Sequence, residues 1–227
     1  QLQEEKKKYE ALKDKEKALY DTARMVNQFS DTRILCGDPD TEVSHVFVGI
    51  DMEVSEMLLA DRLREKGKKI DVVITHHPDG AALANFYEVM SLQADVFSKR
   101  GVAIAVAETL THERMNEVKR SVSSANHMRT VDAARLLSLP LLCVHTPADN
   151  FVTAYLQKLC DAKQPLTLKA IVELLYEIPE YKHAAKNNAG AYILQGSPSQ
   201  RAGQIMVDMT GGTEGSRELF PELVHKG

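Results

Sequence analysis

The hydrophobic and polar positions near the start of the chain predict a helix. Residues 4–29 are densely charged, and apolar side chains recur among them near helical spacing at Tyr9, Leu12, Leu19, Val26 and Phe29. This pattern is typical of one long amphipathic helix. Its lysines are interleaved with acidic residues, which favours a solvated face over a nucleic-acid patch.

After residue 44 the pattern changes to alternating strands and helices. An apolar run at 46–50, a helical segment at 54–66 and a β-branched run at 70–75 predict a βαβ unit. Such a unit implies a largely parallel sheet with a right-handed crossover, which brings Asp51 and His76 to the same edge. Helices are predicted next over 83–100, 102–123 and 129–137, followed by a short strand at 139–144 and a helix at 151–160.

The last third repeats the alternation. We predict a helix at 168–176, strands at 191–194 and 203–209, and a final helix after the glycine-rich segment 210–216. That segment could hold a phosphate against a helix N-terminus, but it matches neither the P-loop pattern nor GxGxxG. The predicted divisions are an N-terminal helix and connector (1–43), a first α/β half (44–165) and the start of a second, C-terminally truncated half (166–227).

Composition narrows the function classes. The net charge of −4 over 227 residues gives no positive field for nucleic acid or for an anionic membrane surface. The three cysteines have no CxxC spacing, no apolar run approaches the roughly 18 residues of a membrane span, and the first thirty residues do not resemble a secretory signal. We therefore expect a soluble protein of the reducing cytoplasm.

Two adjacent histidines, His76 and His77, follow the β-branched run and precede Pro78. Side chains just past such a strand face the crevice where α/β proteins bind ligands, and imidazole binds zinc, iron, nickel or copper. The alternative is that one histidine caps the strand and the other is an ordinary surface group. Neighbouring side chains alternate along extended backbone, and Pro78 holds His77 extended. We therefore expect the two rings to diverge, toward two metals or toward a metal and a substrate.

A second polar cluster follows the predicted strand at 139–144. It contains His145 and Asp149, which a common sheet edge could bring to His76 and His77. Imidazole nitrogens with a bridging carboxylate are the ligands of hydrolytic two-metal sites, and Asp149 is the candidate for the bridge. The alternative is that Asp149 or Asn150 caps the helix predicted from residue 151.

These motifs together resemble the NGG-interacting-factor-three-like family, whose members are often labelled GTP cyclohydrolase 1 type 2 homologues. Val48-Gly49-Ile50-Asp51 is similar to the family's first strand, and Val73-Ile74-Thr75-His76-His77-Pro78 to its metal-binding strand end. His145-Thr146-Pro147-Ala148-Asp149 is similar to its HTxxD motif, and Met209-Thr210-Gly211-Gly212 to its later Gly-Gly turn. The resemblance covers about four-fifths of the chain, from residue 46 onward.

The resemblance implies a fold and a metal site. The fold is α/β, with two related halves of mixed, largely parallel sheets flanked by helices; the long N-terminal helix is additional. His76, His77 and Asp149 would bind two divalent ions (zinc, iron, manganese or nickel), with His145 beside them as catalytic acid or base and Asp51 supporting the ligands. The family's C-terminal histidine and glutamate have no counterpart before Gly227, and His225 is a poor substitute. We expect trimmed ends and a weak or half-filled site.

The resemblance also implies a function and an assembly. The expected function is metal-dependent hydrolysis of a nucleotide-like or phosphoester substrate by a dinuclear site. The family commonly forms a ring-shaped hexamer, so a homo-oligomer is expected. The rival hypothesis is a non-catalytic, metal-binding hexameric scaffold or regulatory protein. Neither a membrane nor a nucleic acid is expected as a partner.

Overall fold

A single mixed sheet organises the part of the chain that the computed structural model describes, residues 2–225. Its strands are β1 (Arg33–Cys36), β2 (Val46–Gly49), β3 (Val72–Thr75) and β4 (Leu141–Cys143). They are arranged in the order β1-β4-β3-β2. Strands β2, β3 and β4 are parallel, and β1 pairs antiparallel with β4. The α/β class predicted from the sequence is confirmed.

Helices lie before, between and after these strands. They are α1 (Leu2–Ala11), α2 (Asp14–Lys17), α3 (Val54–Glu65), α4 (Gly80–Ala84), α5 (Ser91–Lys99), α6 (Ile104–Ser123), α7 (Arg129–Leu136), α8 (Thr146–Lys163), α9 (Leu168–Leu175), α10 (Pro179–Lys186) and α11 (Leu219–Val224). Two 3₁₀ turns, Thr22–Met25 and Phe86–Met90, complete the regular structure of the described residues. None of these helices combines the length and the hydropathy that crossing a membrane requires.

The β2-α3-β3 crossover confirms the predicted βαβ unit. Its β-branched strand β3 lies between β2 and β4, as expected for a central strand that packs on its neighbours. One face of the sheet packs on α3 and α7 through a fully apolar cluster. The buried members of this cluster are Met52, Met57, Ala60, Val73, Val131, Ala134, Leu139 and Leu141. This packing holds the parallel strands in register, and the register brings their carboxyl ends to one edge.

The predicted long N-terminal helix over 4–29 is wrong. The segment forms α1, the single turn α2 and a 3₁₀ turn instead. The chain doubles back between Tyr9 and Tyr20, whose rings lie 5.2 Å apart, and the Tyr20 hydroxyl donates to Glu5 at 2.6 Å. Leu19 and Val26 remain exposed. A long helix gains most of its stability from a packed apolar face, and no residue of α1, α2 or the first 3₁₀ turn is fully buried.

Three further boundaries differ from the prediction. The segment 83–100 is divided into α4, a 3₁₀ turn and α5, and α8 begins at Thr146 rather than at residue 151. The strands predicted at 191–194 and 203–209 are irregular segments. In the second of them the side-chain amide of Gln157 donates to Ile205 O and accepts from Val207 N. The Gln157 side chain of α8 therefore forms hydrogen bonds with the backbone groups that a neighbouring strand would need for pairing.

The structure also contains two elements that the sequence analysis did not predict, β1 and α10. Strand β1 has only four residues and lies within the segment 30–43, which we assigned to a connector. The division of the chain at residue 166 into two related halves stays a prediction.

A glycine next to the histidine strand end supports a stability prediction. Gly80 has φ +55°, and a Cβ there would lie 2.7 Å from Val131 Cγ2. Gly67 has φ +82° but no atom within 4 Å of its Cβ position. Gly67→Ala should therefore cost about 1 kcal/mol for backbone strain alone. Gly80→Ala should cost about 1–3 kcal/mol more, because the methyl group overpacks the core. Equal losses of unfolding free energy in the two variants, measured by urea unfolding, would contradict this packing.

Candidate metal site

The strand ends bring three imidazoles together. One ring nitrogen from each of His76, His77 and His145 lies within 4.8 Å of the other two. The ladder continues past the strands to hold them: His76 N donates to Gly49 O at 3.0 Å, and Val144 N donates to Thr75 O at 3.0 Å. Such a group of donors is compatible with metal binding.

The rings of His76 and His77 do not diverge as we expected. Their centroids are 5.3 Å apart, and His76 lies 4.7 Å from the His145 ring. The reason is in the backbone, where His76 N and His77 N donate to consecutive carbonyls, Gly49 O and Ile50 O. A regular parallel strand directs consecutive N–H groups to opposite sides. The chain has therefore left the extended alternation at this point, and both side chains point toward the same space.

Each imidazole is held at Nδ1 by an oxygen. His76 Nδ1 donates to Val144 O at 3.1 Å, and His145 Nδ1 donates to Asp31 Oδ2 at 2.9 Å. His77 Nδ1 donates to Asp51 Oδ1 at 2.6 Å, and the role of Asp51 in supporting a metal ligand stays a prediction. A carbonyl oxygen can only accept, so the proton of neutral His76 is on Nδ1. Oxygens on Nδ1 leave Nε2 with the lone pair that binds a metal, the usual arrangement around metal-ligating histidines.

Asp149 lies one helical turn after His145, in the first turn of α8. Its Oδ1 is 3.4 Å from His76 Nε2, and its Oδ2 is 3.8 Å from His145 Nδ1. Burial raises the pKa of the Asp149 carboxyl, while the neighbouring charges of His145 and His76 lower it. The alternative capping role is wrong for Asp149 and Asn150, because α8 begins at Thr146 and His145 is the residue before it.

The contact between His76 and Asp149 tests whether these residues suit a cation. The Nε2 atom of His76 faces a carboxylate oxygen of Asp149 3.4 Å away. Two electron-rich atoms repel each other unless a proton or a cation lies between them. Two ligands of one tetrahedral zinc ion, each about 2.0–2.1 Å from it, are about 3.3–3.4 Å apart. The donor set therefore fits a divalent metal.

Asp31 belongs to this site, although the sequence analysis did not select it. The residue lies just before β1 and is 0% exposed. Its Oδ2 accepts from His145 Nδ1, from Thr146 N at 3.2 Å and from Thr146 Oγ1 at 2.5 Å. The segment 30–43 was interpreted as a connector, and nothing in its pattern indicated that a carboxylate there reaches residues more than a hundred positions later.

A cleft opens beside the exposed member of the cluster, His77. It has a volume of about 330 Å³, which suits a small molecule. The polar side chains that line it are Asp51, Glu53, Asp79, Asn126 and Arg129. Arg129 donates to Glu53 at 2.7 Å, and burial raises the pKa of Asp79. The cleft therefore combines hydrogen-bond donors and acceptors next to the imidazoles.

The glycine-rich segment lies close to the site but is held by other residues. The buried Gln93 side chain on α5 donates to Gly211 O and Thr213 O at 2.8 and 2.7 Å. Thr210 Oγ1 donates to Asn150 Oδ1 at 2.6 Å, which joins the loop to the residue after Asp149. Phosphate binding by this loop stays a prediction.

Cys143 lies under the site and does not add a ligand. Its Sγ donates to the backbone oxygens of Asp31 and His76 at 3.1 and 3.3 Å. Burial raises the pKa of this thiol, which keeps it protonated, and a protonated thiol is a poor metal ligand.

A solved structure supports the family resemblance. It is that of a NIF3 superfamily protein from Sphaerobacter thermophilus, which is 27% identical and covers 91% of this chain and 74% of its own, with a TM-score of 0.75. None of the known protein-family models matches the chain, and no curated protein matches it either. The fold agrees over nine-tenths of the chain, and the strand-end motifs had already indicated the NGG-interacting-factor-three-like proteins. The chain is therefore similar to the NIF3 superfamily both in its strand-end motifs and in its fold.

Proposed function

We propose that the chain binds two divalent metal ions and hydrolyses a nucleotide-like or phosphoester substrate. His76, His77 and Asp149 are the proposed ligands, with His145 beside them as the proton-transferring residue. The observation that carries the proposal is the separation of 3.4 Å between His76 Nε2 and Asp149 Oδ1, two possible metal-ligand atoms that face each other. The three acceptors on the Nδ1 atoms support it, because they orient every imidazole in the same sense.

The roles of the residues follow from their exposure. Bound divalent ions supply Lewis acidity and make water a stronger acid near neutral pH. His77 and Asp51 are exposed at the mouth of the cleft, so they meet the substrate first. Asn126 and Arg129 offer donors to its polar groups. His145 is 5% exposed, and its Nε2 is the atom that would accept or donate a proton away from bulk water.

The substrate class rests on the resemblance rather than on a contact. The family label suggests a purine nucleotide, and the cleft beside His77 is large enough for a small molecule. Among the described residues, the cleft is lined by no Phe or Tyr side chain on which a base could stack, so phosphoesters that lack a base belong in the same screen.

Turnover by site variants tests the proposal. Purified protein with manganese, zinc or iron added would be screened against GTP, cyclic nucleotides and simple phosphoesters. We expect His76→Ala and Asp149→Ala to lower kcat/KM by about 100-fold or more, because each removes a ligand. His183→Ala, an exposed histidine on α10, is the matched control and should leave turnover unchanged.

Two other outcomes contradict the proposal. Turnover that survives both ligand substitutions would mean that this site is not the catalyst. Metal binding without turnover of any substrate would favour the non-catalytic scaffold. The scaffold hypothesis then requires the expected homohexamer. Light scattering on the purified protein measures the mass of the oligomer directly.

A further inference from the structure

Asp31 is a buried carboxylate that has no arginine or lysine partner within the described residues. It is 0% exposed, and its only ion pair among residues 2–225 is with His145. Removing a carboxylate from water is costly unless strong hydrogen bonds compensate for the loss. Three such bonds reach Asp31 Oδ2, and they come from two consecutive residues, His145 and Thr146. These bonds compensate for the burial of the carboxylate.

Two of the three bonds have a structural explanation. Thr146 N and Thr146 Oγ1 belong to the first residue of α8, where N–H groups lack partners within the helix. A carboxylate at that position accepts hydrogen bonds from these groups, and its negative charge is attracted to the positive N-terminal end of the helix dipole. The bond from His145 Nδ1 is not needed for this purpose. It acts on the imidazole alone, and this imidazole is one of the three in the cluster.

The surroundings of His145 leave few orientations for its ring. The His76 ring lies 4.7 Å away and is tilted by 31°, and the Phe86 ring meets it at 5.5 Å and 67°. Phe86 does not offer the ring a polar partner, so the packing alone does not determine which nitrogen faces the cluster. The Asp31 carboxylate supplies that choice, because a carboxylate only accepts hydrogen bonds and Nδ1 must therefore carry the proton that it donates.

Asp31 is itself held firmly. Cys143 Sγ donates to Asp31 O at 3.1 Å, and Thr32 Oγ1 accepts from His145 N at 3.0 Å. One residue earlier, Ser30 Oγ donates to Asn85 O at 2.8 Å. These contacts join the segment before β1 to the end of β4 and to the loop that carries Phe86. A carboxylate anchored in this way can set the orientation of a neighbouring ring.

We propose that Asp31 is the positioning residue of this site: it fixes His145 in the Nδ1-protonated form and directs its Nε2 toward His76 and His77. The inference rests on the proposed metal function, which it deepens. The analogous contact of Asp51 with His77 has a smaller role, because both side chains are largely exposed and water competes with the carboxylate.

Metal-free protein offers a readout that does not depend on activity. Long-range proton–nitrogen NMR correlations of the imidazoles report which nitrogen carries the proton. We expect His145 to be protonated at Nδ1 in the wild type and to lose this preference in Asp31→Ala. Zinc affinity, measured by competition with a chromophoric chelator, should fall about 10- to 100-fold in Asp31→Ala, as supporting contacts of metal ligands typically contribute. Asp31→Asn keeps an acceptor without the charge and should lie between the two.

Two control variants separate positioning from structure. Thr146→Val removes a hydrogen bond that serves α8 and leaves the contact between Asp31 and His145 intact. It should lower the melting temperature without changing the protonation of His145 or the zinc affinity. Asp71→Asn should leave the zinc affinity unchanged, because Asp71 forms an exposed pair with His45 that lies outside the cluster.

Each outcome decides the inference. If Asp31→Ala and Asp31→Asn fold and keep both the wild-type protonation of His145 and the wild-type zinc affinity, Asp31 serves the fold alone and the inference is wrong. If Asp31→Ala does not fold, Asp31→Asn decides by the same two measurements. A wild-type protein that binds no zinc would end the proposed metal function. The NMR measurement would still determine whether Asp31 positions His145.

Discussion

Replacing His76 by alanine is expected to weaken zinc binding by about 1000-fold or more. His76 is the central member of the cluster, since its ring lies 5.3 Å from His77 and 4.7 Å from His145. Its Nε2 also faces Asp149 Oδ1 at 3.4 Å. Its removal leaves the other two imidazoles and the carboxylate without their common neighbour. A metal site draws a large binding free energy from a few ligands, so each one carries several kcal/mol. Isothermal titration with zinc measures the loss.

The control for this variant is His112→Ala, which removes an exposed histidine from α6. Its zinc affinity should equal that of the wild type. His76→Ala also loses the hydrogen bond to Val144 O, which should cost only about 1 kcal/mol of stability, so the variant remains folded. Unchanged zinc binding in folded His76→Ala would show that the three imidazoles do not form the site.

Replacing Leu141 by alanine is expected to destabilise the fold by about 3–5 kcal/mol. Leu141 is 0% exposed, belongs to β4 and pairs with Val73 on the central strand. The truncation leaves a cavity in a cluster of close-packed apolar side chains, which adds to the lost transfer free energy. For a chain of this size each kcal/mol lowers the melting temperature by about 2–4 °C, so a shift of about 6–20 °C should appear in calorimetry.

Leu136→Ala is the matched comparison, because the same chemical change falls on a residue that is 88% exposed at the end of α7. It should change the stability by less than about 0.5 kcal/mol. Similar losses in the two variants would mean that Leu141 is not in the core. Because β4 ends two residues before His145, we also expect Leu141→Ala to weaken zinc binding at temperatures near its unfolding transition.

Prediction and structure agree where one local pattern has one structural outcome. The β-branched run that became β3 and the amphipathic segment that became α3 are each determined by their own residues. Parallel pairing then requires their carboxyl ends to lie at one edge, and that step predicted the neighbourhood of Asp51 and His76. The family resemblance rested on the same strand ends.

The errors fall on segments whose conformation depends on a distant partner. The charged segment 4–29 satisfies a helical pattern, but no residue of the helices and the 3₁₀ turn that it forms is fully buried. The segment 203–209 reads as a strand, yet Gln157 of α8 takes its backbone hydrogen bonds. Both outcomes depend on contacts with residues outside the segment, which a periodic pattern does not describe.

The candidate site shows the same division. Its histidines and Asp149 were selected from the sequence, because polar residues that follow strands collect at one edge of a parallel sheet. Asp31 was not selected, because its role depends on β1 pairing antiparallel with β4, and a four-residue strand has little local signal. The convergence of the His76 and His77 rings was also missed, since it depends on consecutive hydrogen bonds to Gly49 and Ile50.

The sequence by itself therefore determined the βαβ unit, the α/β class and the residue types at the strand ends, because these depend on local patterning and on the geometry of parallel strands. Only the tertiary structure decided how the imidazoles face one another, which oxygen holds each Nδ1, and that a carboxylate from the N-terminal segment reaches His145. These features depend on contacts between residues far apart in the chain, and such contacts are determined when the helices and strands pack together.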